Sequence, residues 1–195
     1  STPEQFDAYL RAEVRKWAAS GKEKNPLNSK VVKENGKLVE KVWRAGGNGV
    51  PPGMYAPQLE AVIANLESAI PYAASGYQQE TVRLLIRFLR SGDLGDFRKY
   101  NIHWVSDSSN IDFILGFIEV YLDPRGQKAE FEASIYYIDP EQTHLMKKLA
   151  TYVQYFENKA PWEEQYKKQI EQVPIANVIN VTIQTGGTGP VSPIG

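Results

Sequence analysis

Between Ile111 and Ile138 the chain reads IDFILGFIEVYL, then DPRG, then QKAEFEASIYYI. Two runs rich in aromatic and β-branched residues flank a turn signal, and no other stretch restricts the fold so tightly. Asp123 suits the first place of a type I turn, Pro124 the second and Gly126 the fourth. The pattern predicts that residues 111–122 and 128–138 pair as an antiparallel hairpin. The simplest register sets Glu119 against Glu130, and Phe117 against Glu132.

Ahead of Tyr100 the apolar residues follow a different period. In TPEQ, Thr2 can cap a helix, Pro3 suits its first position and Gln5 completes a capping box. Phe6, Leu10, Val14 and Trp17 follow at helical spacing, and Gly21 is a stop signal. The runs KVVKE and KLVEKVW flank Asn35 and Gly36, a pair that favours a tight hairpin. RAGGNGVPPGMYAP, residues 44–57, is a Gly- and Pro-rich loop of a length usually tied to function or mobility. Two amphipathic helices follow. One carries Leu59, Val62, Ile63 and Leu66; the other carries Val82, Leu85, Ile86 and Leu89 and closes near Gly92. A capped turn from Asp93 leads to Phe97 and Tyr100.

Past Tyr100, NIHWVS reads with the β-rich part. Asp139 and Pro140 open one more helix, with Leu145, Leu149, Tyr152, Val153 and Phe156 on one face. KAPW interrupts it, and a last strand, ANVINVTIQT, runs into the loop GGTGPVSPIG. Helices first and sheet afterwards predict an α+β fold, a helical N-terminal half followed by an antiparallel sheet. Residues 1–100 form a mainly helical part with one hairpin. Residues 101–195 form a β-rich part with a helix inserted at about 139–158.

Composition removes several classes of function. The chain has 195 residues, 42% of them hydrophobic, enough to bury a real core. Its formal net charge of −1 offers no basic surface for nucleic acid. With no cysteine there is no disulfide, no thiolate nucleophile and no cysteine–zinc site. No apolar run approaches the roughly 20 residues of a membrane span, and STPEQFDAYL lacks the regions of a signal peptide. The expectation is a cytoplasmic chain that engages neither membrane nor nucleic acid. GGTGP lacks the Lys-Ser/Thr that would make it a phosphate loop. Trp17, Trp43, Trp104 and Trp162 read as core or lobe-interface aromatics.

One polar residue stands out in the apolar hairpin. Along an ideal strand Phe113, Leu115, Phe117, Glu119 and Tyr121 share a face, with Glu119 and Tyr121 about 7 Å apart. Glu119 facing Glu130 places like charges together, which is destabilising unless a cation joins them. Lys128, an arginine from elsewhere or the ammonium group of a ligand could do so. A carboxylate that waits for an amine gains a charge-assisted hydrogen bond when the ligand arrives. The plain alternative is a solvated glutamate at a strand end. Glu119 with Glu132 could also serve as a carboxylate pair for glycoside hydrolysis, given a separation of about 5–9 Å in a sugar-sized cleft. His103, between Ile102 and Trp104, reads as a core or edge-strand histidine before it reads as a ligand, and His144 as a solvated helix residue.

GFIEVYLDPRG followed by KAEFEA resembles the substrate-binding strand and turn of the dipeptidyl peptidase III family of zinc metallopeptidases. NSKVVKENGKLVEKVW, GMYAPQLEAVIANLE, SGDLGDFRKYNIHWV and TGPVSPIG resemble further segments of bacterial members, in the same order. The likeness covers most of the chain from about Asn28 onward. It implies two lobes around a wide cleft. One lobe would carry a zinc helix of pattern H-E-x-x-G-H with a further glutamate ligand; the other, with a small β-barrel-like core, would bind the peptide. Glu119 would then hold the free amino terminus of a short peptide, with Tyr121 beside it. Ser192, Pro193 and Gly195 would lie along the extended substrate, recognised by strand addition. Glu132 and His103 are further candidates for the site.

The zinc pattern itself is missing, and the chain has two histidines, His103 and His144. No catalytic residue and no metal ligand is therefore expected in this chain. The resemblance implies the peptide-binding part of an exopeptidase that removes dipeptides from N-termini, with zinc held in a missing catalytic lobe and no activity in this chain alone. The alternative is a stand-alone peptide-binding module. A coding sequence that continues into H-E-x-x-G-H separates the first from the second.

Overall fold

A computed structural model describes residues 2–22, 24–171, 173 and 176–187. Helix α1 (Pro3–Ala19) starts as its sequence dictates. Thr2 Oγ1 accepts the Gln5 N–H at 3.3 Å, and Gln5 Oε1 accepts the Thr2 N–H at 3.1 Å. Val14 and Trp17 are half-buried on its inner face, and the helix ends ahead of Gly21. The side chains of Phe6 and Leu10 lie outside the described set.

Strands β1 (Ser29–Glu34) and β2 (Lys37–Val42) form the expected hairpin. Both central turn residues, Asn35 (φ 49°) and Gly36 (φ 78°), take the left-handed conformation such a turn requires. The chain then folds back so that the Ala45 N–H donates to Leu89 O at 2.8 Å and the Gly46 N–H to Arg90 O at 3.0 Å. The Gly-rich loop is thereby fastened to the end of a helix.

Helices α2 (Ala56–Ala69), α3 (Gly76–Ser91) and α4 (Leu94–Trp104) carry the core. Ile63 and Leu85 are fully buried, and Phe88 and Leu89 are each 1% exposed. The α3–α4 corner is tight. Gly92 takes φ 67° to end α3, and the Asp93 carboxylate caps α4 by accepting from the Gly95 and Asp96 N–H groups. The strand-like reading of NIHWVS is overturned here, because Asn101–Trp104 continue α4. Phe97, Tyr100 and Trp104 already repeat at helical spacing, and Phe97 packs on Phe88 with ring centroids 4.7 Å apart.

The C-terminal part is a three-stranded antiparallel sheet in the order β3 (Ile111–Phe117), β4 (Phe131–Ile138), β5 (Ile179–Gly186). Between β4 and β5 lie α5 (Pro140–Ala150), capped by Asp139, and α6 (Val153–Lys159). The fold is α+β, as expected. Asp112 ties sheet to helices: its carboxylate accepts from Trp104 Nε1 at 2.8 Å and from the Tyr136 hydroxyl at 2.7 Å. Burial raises the Tyr136 hydroxyl far above its ordinary value, and the bond to the Asp112 carboxylate raises it further. Of the four tryptophans, Trp17, Trp43 and Trp104 are half-buried and Trp162 is 47% exposed.

Two expectations for the hairpin change. β3 stops at Phe117, not at Leu122, and β4 starts at Phe131, not at Lys128. The register is also displaced by one residue: Phe117 faces Phe131, and Glu132 faces Gly116. The DPRG turn forms as predicted, with the Gly126 N–H donating to Asp123 O at 2.8 Å.

Candidate functional site

The register shift has a local cause. Beyond Phe117 the Ile118 N–H donates to Glu130 O at 3.3 Å, while the Glu130 N–H donates to Glu119 O at 2.9 Å. Two residues of one strand thus oppose one residue of the other, which is a β-bulge. Pairing outward from the turn, the expected Glu119–Glu130 partnership is met. Ile118 is the extra residue that offsets everything beyond it.

The bulge builds a pocket for a carboxyl group. Glu132 is 1% exposed, and its Oε1 accepts the Glu119 N–H at 3.1 Å. Its Oε2 meets no donor among the described residues. On one side stands Gly116 and on the other Gly186, its partner on β5. Gly186 takes φ 74°, and a Cβ there would run into the Phe131 carbonyl oxygen, so only glycine lets β5 pass this close. Burial raises the Glu132 carboxyl above the ordinary glutamate range, the charge of Glu119 raises it further, and the bond from the Glu119 N–H pulls partly back.

Glu119 itself is half-buried, and its carboxylate forms no ion pair or hydrogen bond with any described residue. Lys128, at the end of the turn, donates to Ser29 Oγ at 2.8 Å, and Ser29 Oγ donates to Glu40 Oε1 at 2.7 Å. That network braces the turn against the β1–β2 hairpin. The Ala129 N–H adds a bond to Leu27 O at 2.8 Å.

Tyr121 lies in the turn and not in the strand, so strand alternation does not govern its direction; it is 81% exposed. Asp123 holds the segment that follows, its carboxylate accepting from the Gln127 and Lys128 N–H groups at 2.8 Å each. Burial pushes that carboxyl up, and the backbone donors of Lys128, Gln127 and Arg125 outweigh it, leaving it below the ordinary range.

His103 sits in the last turn of α4. Its ring stacks on Tyr77 with centroids 3.8 Å apart, and its Nδ1 lies 2.9 Å from Thr81 Oγ1. These contacts join α4 to α3 and involve neither Glu119 nor Glu132. Ser192, Pro193 and Gly195 lie outside the described residues. Beside the bulge, a cavity of about 470 Å³ is lined by Trp43, Tyr55, Leu59, Val62, Phe117 and Phe131, together with Glu130, Gly186 and Gly187. The sequence reading missed this cavity, because its walls come from segments far apart in the chain. It also missed the bulge, whose signal is Gly116 in a strand of large residues.

The chemistry on offer is recognition of a cation by a carboxylate on a rigid platform. A sugar-cleaving pair needs both carboxyls open to a cleft, which a 1% exposed Glu132 does not provide. Among the described residues no group of three His, Asp or Glu side chains could hold a metal ion. Zinc therefore does not fit this chain's described residues. No helix among the described residues is long and apolar enough to cross a membrane.

Comparison with known proteins gives the chain's family and fold. Dipeptidyl peptidase 3 of Homo sapiens is 27% identical over 179 residues, covering 91% of this chain and 24% of that protein. Its counterpart in Dictyostelium discoideum is 30% identical over 118 residues, covering 60% of this chain and 17% of that protein. The chain spans a quarter or less of the length of these curated relatives. The solved structure of DPP III from Caldithrix abyssi superposes with a TM-score of 0.66 at 22% identity, over 96% of this chain and 34% of that one. DPP III from a Corallococcus strain gives 0.59 at 20% identity, over 95% and 32%. The model of peptidase family M49 matches residues 16–191, nearly the whole sequence, and the chain belongs to that family.

Proposed function

We propose that this chain is the peptide-binding, non-catalytic part of a zinc-dependent exopeptidase that releases dipeptides from peptide N-termini. In this reading Glu119 receives the free ammonium group of a short peptide, and Tyr121 flanks it. Ser192, Pro193 and Gly195 run along the extended ligand, which adds to the sheet as a strand. A second lobe of the same protein is the other partner and carries the zinc ligands. The division at residue 100 and a cytoplasmic location belong to the same proposal.

One observation carries the reading: the Glu119 carboxylate, half-buried at a bulge, is engaged by no lysine or arginine among the described residues. A buried-side carboxylate without a counter-ion is poised for one from outside. The relatives' name, dipeptidyl peptidase 3, points to the same substrate class.

The test is a titration with a free-amine tetrapeptide and with its N-acetylated form. A charge-assisted hydrogen bond of about 1.5–3 kcal/mol predicts that acetylation weakens binding about ten- to a hundredfold. Equal affinity of the two forms removes Glu119 from the site.

A further inference from the structure

Glu132 has no role in the reading above beyond its place beside Glu119, yet its surroundings are specific. Its Oε1 is taken by the Glu119 N–H, its Oε2 meets no donor among the described residues, and it is 1% exposed. An ionised carboxylate there leaves one oxygen without compensation, whereas the protonated acid keeps its hydrogen on that oxygen. The charged groups around it are few. Glu119 faces it across the bulge, and the exposed Glu130 stands two residues back, just ahead of β4. β5 brings Gly186, with Gly187 just past its end, and has no titratable residue. α3 and α4 bring Phe88 and Phe97 against Gly116, and their Arg87 and Asp96 pair with each other at 3.0 Å. Asp112, at the far end of β3, is held by Trp104 and Tyr136.

We propose that Glu119 and Glu132 form a proton-linked pair, in which a cation arriving at Glu119 expels a proton from Glu132. This deepens the reading of Glu119 as the peptide-amine site and rests on it. Two adjacent carboxyls resist double ionisation, and the buried one keeps the proton. An ammonium at Glu119 cancels the repulsion while the burial of Glu132 persists, so release is partial. The Glu132 O–H bond breaks heterolytically, its electron pair stays on the oxygen, and the proton passes to buffer; the ammonium keeps its three hydrogens. The burial also explains why direct contact with the ligand is not needed. The linkage makes peptide affinity rise with pH across the window just above the ordinary glutamate value of about 4.3.

Calorimetric titration of the chain with amidated tetra-alanine, in two buffers of different ionisation enthalpy at about pH 5.5, reads the proton count. The peptide amine, with a pKa near 8, stays charged throughout. The expected result is net release of a fraction of a proton per peptide bound. Glu132→Gln should bind the peptide and lose most of that release. Binding by the unaltered chain without proton release overturns this inference and leaves the amine site standing; no binding overturns both. Equal release by Glu132→Gln assigns the proton to Glu119 and also overturns it. Carbon-13 carboxyl NMR of the unaltered chain provides a measurement independent of any variant. The Glu132 titration should move to lower pH when peptide is bound, and an unmoved midpoint contradicts the linkage.

Discussion

The α2–α4 bundle and the segment from α5 to β5 have the same kinds of apolar residue at equally regular spacing, and opposite fates. In the bundle Ile63, Leu85, Phe88 and Leu89 are 0–1% exposed. In the later segment Leu149 is 51% exposed, Phe156 54%, Val181 50% and Ile183 53%, and β5 is exposed along its whole length. Periodicity thus reports the conformation of an element but not whether anything covers its apolar face. The bulge, with Glu119 and Glu132, sits where the two regions meet: Phe117 and Ala129 join the bundle core, and the next pairs along the sheet lead to β5.

The largest test of this contrast is a pair of truncations. Phe88→Ala should lower unfolding free energy by about 3–5 kcal/mol, whereas Ile183→Ala should change it by less than about 0.5 kcal/mol. Urea titration of both variants decides it, and similar losses would erase the distinction. Next comes Gly186→Ala. A Cβ at φ 74° meets backbone of β4, and the expected cost is about 2 kcal/mol in thermal unfolding, concentrated in the sheet. A variant as stable as the parent would mean that β5 is free to shift away from Glu132.

Tyr136→Phe should cost about 1.5 kcal/mol, the loss of a hydrogen bond to the Asp112 carboxylate, and a neutral outcome in thermal unfolding would show that this β3–β4 bond adds nothing to stability. The smallest effect concerns pH. The folded Glu132 titrates above its unfolded value, so its contribution to stability is fully present below the unfolded value of about 4.3 and is lost as pH rises through the folded one. Glu132→Gln should flatten that part of the stability profile. Asp123, lowered in the fold, contributes above its unfolded value, and that contribution is lost as pH falls through the folded one.

Much of this was legible from residues alone. The capping box of Thr2 and Gln5, the Asn35–Gly36 turn, the Gly92 stop and the DPRG turn are local chemistry, and each formed as expected. NIHWVS misled because aromatic and β-branched residues favour strands on average, while Asp93 and the Phe97–Tyr100–Trp104 spacing had already committed the chain to a helix. The hairpin register went astray for another reason. A bulge depends on contacts with a third strand and on the packing of Phe88 and Phe97 against Gly116, and no single segment encodes those. For the same reason Glu132 could be nominated from sequence but not recognised as buried.

The central claim is that the Glu119 carboxylate holds a ligand ammonium, and a binding cycle tests it most directly. Affinities are measured for the parent chain and Glu119→Gln, each with a free-amine tetrapeptide and its acetylated form. The account predicts that either change alone weakens binding about ten- to a hundredfold and that making both costs little more than one. Losses that simply multiply would show that the carboxylate and the ammonium act independently, and would contradict it.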